Sequence, residues 1–193
     1  MAQTYPIATI PLNNGGRIGM APLPGRFTCI FNDVEEITDW FPQIVVSLTL
    51  PSEAVKPEGP DLGELLSERG ISWYGFPLKD FDIPKPHSKS VWDELSTVLH
   101  DCLNHGGSVM LHCRGGCGRS GMVALRLLRE RGLTRKRALQ DVRAAQPFAV
   151  ETEHQLGWGN FGFEYGPTPS SAGAWYDDAN PIMTSDNAAI LYR

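Results

Sequence analysis

The chain has 193 residues, 41% of them hydrophobic and 20% charged, which suits one soluble domain with a normal buried core. Its net charge of −5 argues against a general nucleic-acid binder, whose footprint would be a basic excess. No stretch approaches the ~18 apolar residues of a membrane span, and Met1–Ile7 lacks the basic and long apolar regions of a secretory signal.

Residues 1–16 carry Pro6, Pro11 and Asn13-Asn14-Gly15-Gly16, turn chemistry without a clear period, and read as an N-terminal extension. Gln43–Leu48 reads as a buried strand stopped by Pro51. Asp61-Leu62-Gly63-Glu64 is a capping-box pattern that opens a short helix ending at Gly70. Ile71–Phe76 reads as the next strand. Ser90 is placed to cap a longer helix with an apolar stripe of Val91, Leu95, Val98, Leu99 and Cys102, ending at Gly106-Gly107.

The apolar run Ser108–Leu111 then reads as a buried strand, and Gly121–Leu128 as a helix. Between them lies His112-Cys113-Arg114-Gly115-Gly116-Cys117-Gly118-Arg119-Ser120-Gly121, a strand-to-helix turn. Backbone N–H groups and the positive end of the helix dipole can face an anion there. Gly115, Gly116 and Gly118 let the backbone curl close to it. A thiol in that setting is pushed towards thiolate. Arg119 offers a planar fork that matches two phosphate oxygens. Nucleophile, anion cage and guanidinium clamp occur within ten residues.

Beyond the loop, Thr134 caps a helix with Ala138, Leu139 and Val142 on one side, closed by Pro147. A last helix starts near Thr152 and is weakened by Gly157, Gly159 and Gly162. Residues 166–193 are rich in Pro, Ser, Gly, Ala and Asp, which predicts a mobile or loosely attached tail. Arg126, Arg129, Arg131, Arg135, Lys136, Arg137 and Arg143 cluster on two helices and read as a solvated face, with docking of an acidic partner as the alternative. Strands alternating with helices predict an α/β fold: a central, mainly parallel sheet of four to five strands with helices on both faces. Its ligand site belongs at the carboxyl ends of the strands, where the Cys113 loop falls.

The loop resembles the signature H-C-x5-R-[ST]-G of cysteine-dependent phosphatases, met by His112, Cys113, Arg119, Ser120 and Gly121. The closest type is the compact, kinase-associated-phosphatase-like group of dual-specificity phosphatases within the tyrosine phosphatase superfamily. Three further segments carry the resemblance. Ile18–Gly25 is similar to the family's entry strand and turn. Phe76–Pro84 is similar to its general-acid loop, and Gln146–Gln155 to the late segment with a water-positioning Gln. The resemblance runs from about residue 15 to about residue 165, which sets a catalytic domain at 17–165.

It implies a phosphotyrosine, phosphoserine or phosphothreonine phosphatase acting on proteins through a phosphocysteine, without metal or cofactor. Cys113 is then the nucleophile, and Arg119 the clamp on two equatorial oxygens. His112 supports the loop and helps lower the thiol pKa, and Ser120 hydrogen-bonds the sulfur or caps the helix behind it. Arg114, Gly115, Gly116, Cys117 and Gly118 line the phosphate with Arg119. Asp80 is the general acid and then the base for water, and Asp82 is its competitor two residues on. Gln155 positions water, although the family's Q-T-x-x-Q reads here Glu151-Thr152-Glu153-His154-Gln155, and Thr152 with Gln155 also form a capping box. Cys117 reads as a small side chain facing away, with a resolving thiol as the alternative.

Arg114 leaves a phosphoinositide or small-molecule phosphate open as the substrate. A rhodanese-type sulfur carrier is disfavoured by the length of the Cys113–Arg119 interval, and a catalytically weak phospho-binding module by the presence of Cys, Arg and Asp together. Four cysteines without a disulfide-framework pattern, and a C-x3-C rather than a zinc-type C-x2-C, point to a reducing, cytoplasmic compartment without bound metal, and the protein is expected to be a monomer.

Overall fold

The computed structural model describes residues 4–53, 59–166 and 183–184. Four parallel strands form its centre: β2 (Arg17–Ala21), β3 (Ile44–Ser47), β4 (Ser72–Gly75) and β5 (Ser108–His112), adjacent in the order β2-β5-β3-β4. The strand β1 (Ala8–Pro11) adds antiparallel to β2, and the two-residue strand β6 (Met183–Thr184) adds antiparallel to β4. The sheet is therefore mainly parallel, as the alternation of elements predicts, with antiparallel strands at both edges. The hairpin β1–β2 is a departure from the turn-rich reading of residues 1–16: the turn signals hold for 12–16, but Ile10 and its neighbours pair with β2. Apart from Gly166 and the two residues of β6, the segment 166–193 lies outside the described residues.

Register positions the site. Ala21 pairs with His112, His112 with Ser47, and Ser47 with Gly75, so four parallel strands end in one row. The segments that leave this row are residues 22–29, 48–53, 76–82 and the Cys113 loop, and they meet at one edge.

Both faces of the sheet are apolar. Ile18, Met20, Ile44, Val46, Val109 and Leu111 face a core shared with α3 (Lys89–Asn104), α4 (Gly118–Glu130), α5 (Arg135–Ala145) and α6 (Glu153–Phe161). Ala21, Val45 and Met110 face a smaller core with Ile37 of α1 (Ile30–Asp39) and Leu66 of α2 (Leu62–Ser67). Continuous apolar runs with side chains on both faces are what a covered parallel sheet requires.

Local signals account for most helix starts. Asp61 caps α2 by accepting from Glu64 N–H, and Thr134 caps α5 by accepting from Arg137 N–H. The helix α1 has no capping side chain at Cys29, so nothing in the sequence announces it. α3 begins at Lys89 rather than after a Ser90 cap. Its buried side is Trp92, Leu95, Ser96, Leu99 and Leu103, while Val98 is exposed. Trp92 rotates the stripe because it packs on Phe76 and Trp158, with ring centroids 5.6 and 5.1 Å away.

Gly159 does more than weaken α6, because a Cβ there would lie 2.7 Å from a Leu125 side-chain atom. Its absence lets α6 press against α4. Most of the basic residues after the loop engage intramolecular partners. Arg126 pairs with Glu130, Arg131 reaches Asn104, Arg137 pairs with Asp141, and Arg135 stacks over Phe161.

Glu130 ties α3 to α4. Its carboxylate accepts from Trp92 Nε1 (3.0 Å), Ser96 Oγ (2.8 Å) and Arg126 Nε (2.7 Å), and pairs with His100 Nε2 (2.9 Å). Burial works against the charge, but the bonds from His100, Arg126, Trp92 and Ser96 outweigh it and lower the pKa to about 2. A carboxyl depressed from 4.5 to about 2 contributes about 3 kcal/mol that is present above pH 4.5 and lost as pH falls towards 2. Glu130→Gln is therefore expected to lower unfolding stability at pH 7 by that order. The wild-type and variant denaturant curves should converge between pH 5 and about 2; a gap independent of pH would contradict the ionic origin.

Candidate active site

The Cys113 loop is built by turning its carbonyls outward. His112 O accepts from Leu48 N–H (2.9 Å), Arg114 O from Leu23 N–H (3.4 Å) and Arg26 Nη1 (2.6 Å), and Cys117 O from Gly121 N–H (2.9 Å) and Val150 N–H (3.4 Å). The inner side of the loop is left to N–H groups, and Gly116 N–H donates to Cys113 Sγ at 3.2 Å. Gly116 has φ +77°, and a Cβ there would come within 2.7 Å of the Ala21 backbone, so glycine is required. Asp33, buried in α1, accepts from Gly25 N–H and Thr28 Oγ1 and holds the segment that carries Arg26.

Cys113 is buried at the base of this loop, with Ser120 Oγ 3.4 Å from its sulfur. The helix α4 starts at Gly118 with Cys117 as its N-cap residue, three residues earlier than expected. Ser120 thus lies inside the first turn and serves the sulfur rather than the cap. Cys117 is half-buried, and burial together with the nearby Cys113 pushes its thiol up.

His112 lies on the opposite side of the strand end. Its Nε2 bonds Ser47 Oγ, which also accepts from Trp73 Nε1 at 2.7 Å. Complete burial and the Arg119 charge lower its pKa to about 3, so the ring is neutral and lends the sulfur no charge. It anchors the loop through Ser47 instead.

Arg119 is fully buried, and the sequence motif does not reveal what holds it. Glu53 grips it in a fork, Nη1 to Oε2 at 2.6 Å and Nη2 to Oε1 at 2.9 Å, while Nη1 also donates to Leu78 O (2.9 Å) and Leu48 O (3.3 Å). Burial opposes the Glu53 charge, yet the bonds from Arg119 and Leu50 N–H and the charges of Arg119 and Arg114 keep its carboxyl below the usual range. Burial likewise opposes the Arg119 charge, but Glu53, Cys113 and Asp80 raise its pKa. Nε has no partner among the described residues, and Nη2 faces Asp80 Oδ1 at 3.0 Å. Those two nitrogens form the fork left for an anion. Glu53 stands in a turn just past β3, at the carboxyl end of a central strand, which is the one signal that could have drawn notice to it.

The two candidate acids separate cleanly. Asp80 reaches Arg119, whereas Asp82 accepts from Ile83 N–H and Lys85 Nζ, each at 2.8 Å, and shapes its own turn. Phe81 between them has φ +62°, a costly conformation for an aromatic residue that directs its two neighbours to different sides.

At Gln155 the capping reading is the one observed. The capping box with Thr152 is present, and Gln155 Oε1 accepts from Glu151 N–H (2.9 Å) and Thr152 N–H (3.3 Å). Its Nε2 is buried without a partner among the described residues, beside Gly118. Residues 54–58, which follow Glu53, lie outside the described residues.

The family model described as "Polymorphic toxin system, DSP-PTPase phosphatase" matches residues 18–132. The chain is 32% identical over 119 residues to mouse cyclin-dependent kinase inhibitor 3, covering 58% of this chain and 54% of the relative. It spans about half the length of the curated relatives it matches. Among solved structures, kinase associated phosphatase with a serine at its catalytic-site cysteine superposes with a TM-score of 0.71 at 24% identity, over 82% of this chain and 94% of that one. The active form of Tk-PTP gives 0.58 at 27% identity, over 77% and 91%.

Proposed function

Because this chain belongs to the DSP-PTPase phosphatase family, of the kinase-associated-phosphatase-like type, we propose that it hydrolyses phosphomonoesters of tyrosine, serine or threonine in proteins through a phosphocysteine on Cys113. One observation carries the reading: a buried sulfur, bonded by Gly116 N–H and Ser120 Oγ, shares its loop with a buried guanidinium that Glu53 orients. Residues 17–165 form the catalytic unit in this reading.

The phosphoryl group enters the cage of N–H groups from Arg114 to Arg119 and takes Nε and Nη2 of Arg119, displacing Asp80 from Nη2. Cys113 sulfur attacks phosphorus in line, and the bond to the leaving oxygen breaks. Asp80, released into the mouth, gives that oxygen its proton. Arg119 and the loop N–H groups stabilise charge on the equatorial oxygens, and they are already oriented before the reaction. Water then frees the phosphate, and Ser120 steadies the departing thiolate.

A phosphoprotein suits the mouth better than a phosphoinositide. Arg114 and Arg26 offer positive charge at the rim, but Asp80 and Glu151 stand beside it and disfavour a polyanionic headgroup. All four cysteines are free thiols, which fits a reducing, cytoplasmic setting, and no helix among the described residues is long and apolar enough to cross a membrane. The test is side-by-side turnover of phosphotyrosine peptide, phosphothreonine peptide and phosphoinositide by the purified chain. Vanadate-sensitive turnover of the peptides is expected; hydrolysis of none of the three would overturn the reading, and a lipid preference would overturn the substrate class.

A further inference from the structure

We propose that Tyr5 is a positioning residue for the phosphate loop. Its hydroxyl fixes the Pro22–Leu23 peptide, and that peptide aims Gly115 N–H into the anion cage. The inference rests on the phosphatase reading above and extends the catalytic unit from residue 17 back into the N-terminal segment.

The hairpin register brings Tyr5 to the site. Ala8 pairs with Met20, so three residues earlier the chain is level with the turn that follows β2. The Tyr5 ring is buried in the smaller core with Ala21, Ile37, Val45 and Met110, which anchors it beneath that turn. Its hydroxyl donates to the carbonyl of Pro22, a residue that is itself buried. Burial pushes the phenol pKa up, and the Asp33 and Cys113 charges push it further, so the group is a neutral donor.

Two rigid peptide planes carry this bond into the loop. Pro22 O and Leu23 N–H are opposite ends of one trans peptide, and Leu23 N–H donates to Arg114 O at 3.4 Å. Arg114 O and Gly115 N–H are opposite ends of the next plane, so a carbonyl held outward turns that N–H inward. Arg26 Nη1 holds the same carbonyl at 2.6 Å. The adjoining Ala21–Pro22 peptide supports Gly116, where a Cβ would lie 2.7 Å from Ala21 C and 2.8 Å from Pro22 N. Gly116 N–H in turn donates to Cys113 Sγ at 3.2 Å. Tyr5 thus steadies, from behind, the backbone that presents both donors. An anion in the cage polarises the chain of bonds from Gly115 N–H back to the phenol, and bonds in such a chain strengthen one another.

Tyr5→Phe tests this, because it keeps the buried ring, removes no charge and deprives Pro22 O of the hydroxyl. Its kcat/KM for p-nitrophenyl phosphate should fall roughly 3–10-fold, less than the roughly 10²-fold that follows outright loss of an oxyanion donor. Vanadate affinity should fall by a similar factor, since both constants report the aim of the cage. Ile37→Val, in the same small core but without a bond to the turn, should lower the melting temperature and leave both constants unchanged. Arg26→Met acts on the same carbonyl as Tyr5. The double variant should therefore depart from the product of the two single effects by roughly twofold or more, as coupled positions do. Wild-type constants in Tyr5→Phe, a matching loss in Ile37→Val, or single effects that simply multiply would each overturn the role of Tyr5 and leave the phosphatase reading intact. A wild-type chain that neither turns over p-nitrophenyl phosphate nor binds vanadate would instead overturn that reading, and the assignment with it.

Discussion

Replacing Cys113 by serine is expected to reduce turnover to below about one per cent of wild type while leaving vanadate or phosphate binding largely intact. A serine hydroxyl is mostly protonated at neutral pH and is a far weaker nucleophile than a thiolate. In the proposed reading, however, the anion site is made by loop N–H groups and Arg119, which the serine leaves in place. Arg119→Ala should behave differently, with both binding and turnover lost. It also strips the half-buried Glu53 carboxylate of the guanidinium that grips it, which should lower stability. A lower melting temperature should therefore accompany the Arg119 variant and not the Cys113 variant. Isotherms for vanadate, steady-state rates and thermal unfolding of the two proteins separate these roles. Appreciable turnover by Cys113→Ser would refute the covalent route.

Asp80→Ala should slow hydrolysis of alkyl and phenyl phosphates by roughly 10²–10⁴-fold, the usual range for a positioned proton donor. The defect should shrink for esters with very acidic leaving groups, which depart without protonation. Asp82→Ala should cost little in rate, because that carboxylate is spent on Ile83 N–H and Lys85 in its own turn. Asp80→Ala should also bind vanadate at least as tightly as wild type, since Nη2 of Arg119 no longer has a competing carboxylate. A leaving-group series measured on both variants decides the matter, and the pattern appearing in Asp82→Ala instead would reverse the assignment.

The local parts of this protein were legible in the sequence, because short spacing determines them. Cys113, Arg119 and Ser120 lie within one turn of chain, so their grouping needs no knowledge of the fold. The caps at Asp61, Thr134 and Thr152 are bonds to residues three positions on, and each was readable for the same reason. The alternation of apolar strands and helices sufficed for a parallel sheet covered on both faces, with the loop at its carboxyl edge.

What tertiary structure alone decided lies at long range. Glu53 and Arg119 are 66 residues apart, and an acidic residue in a turn carries no period that would reveal its partner. Asp80 and Asp82 are nearly equivalent in sequence. They became distinct when strands β3, β4 and β5 ended in register and brought Leu78 O and Asp80 onto Arg119. The phase of α3 was set by Trp92 meeting Phe76 and Trp158, and the place of Glu151 by the strained turn at Val150 against Cys117 O. A motif can specify which groups sit on one loop; which distant side chains brace that loop depends on strand register and core packing.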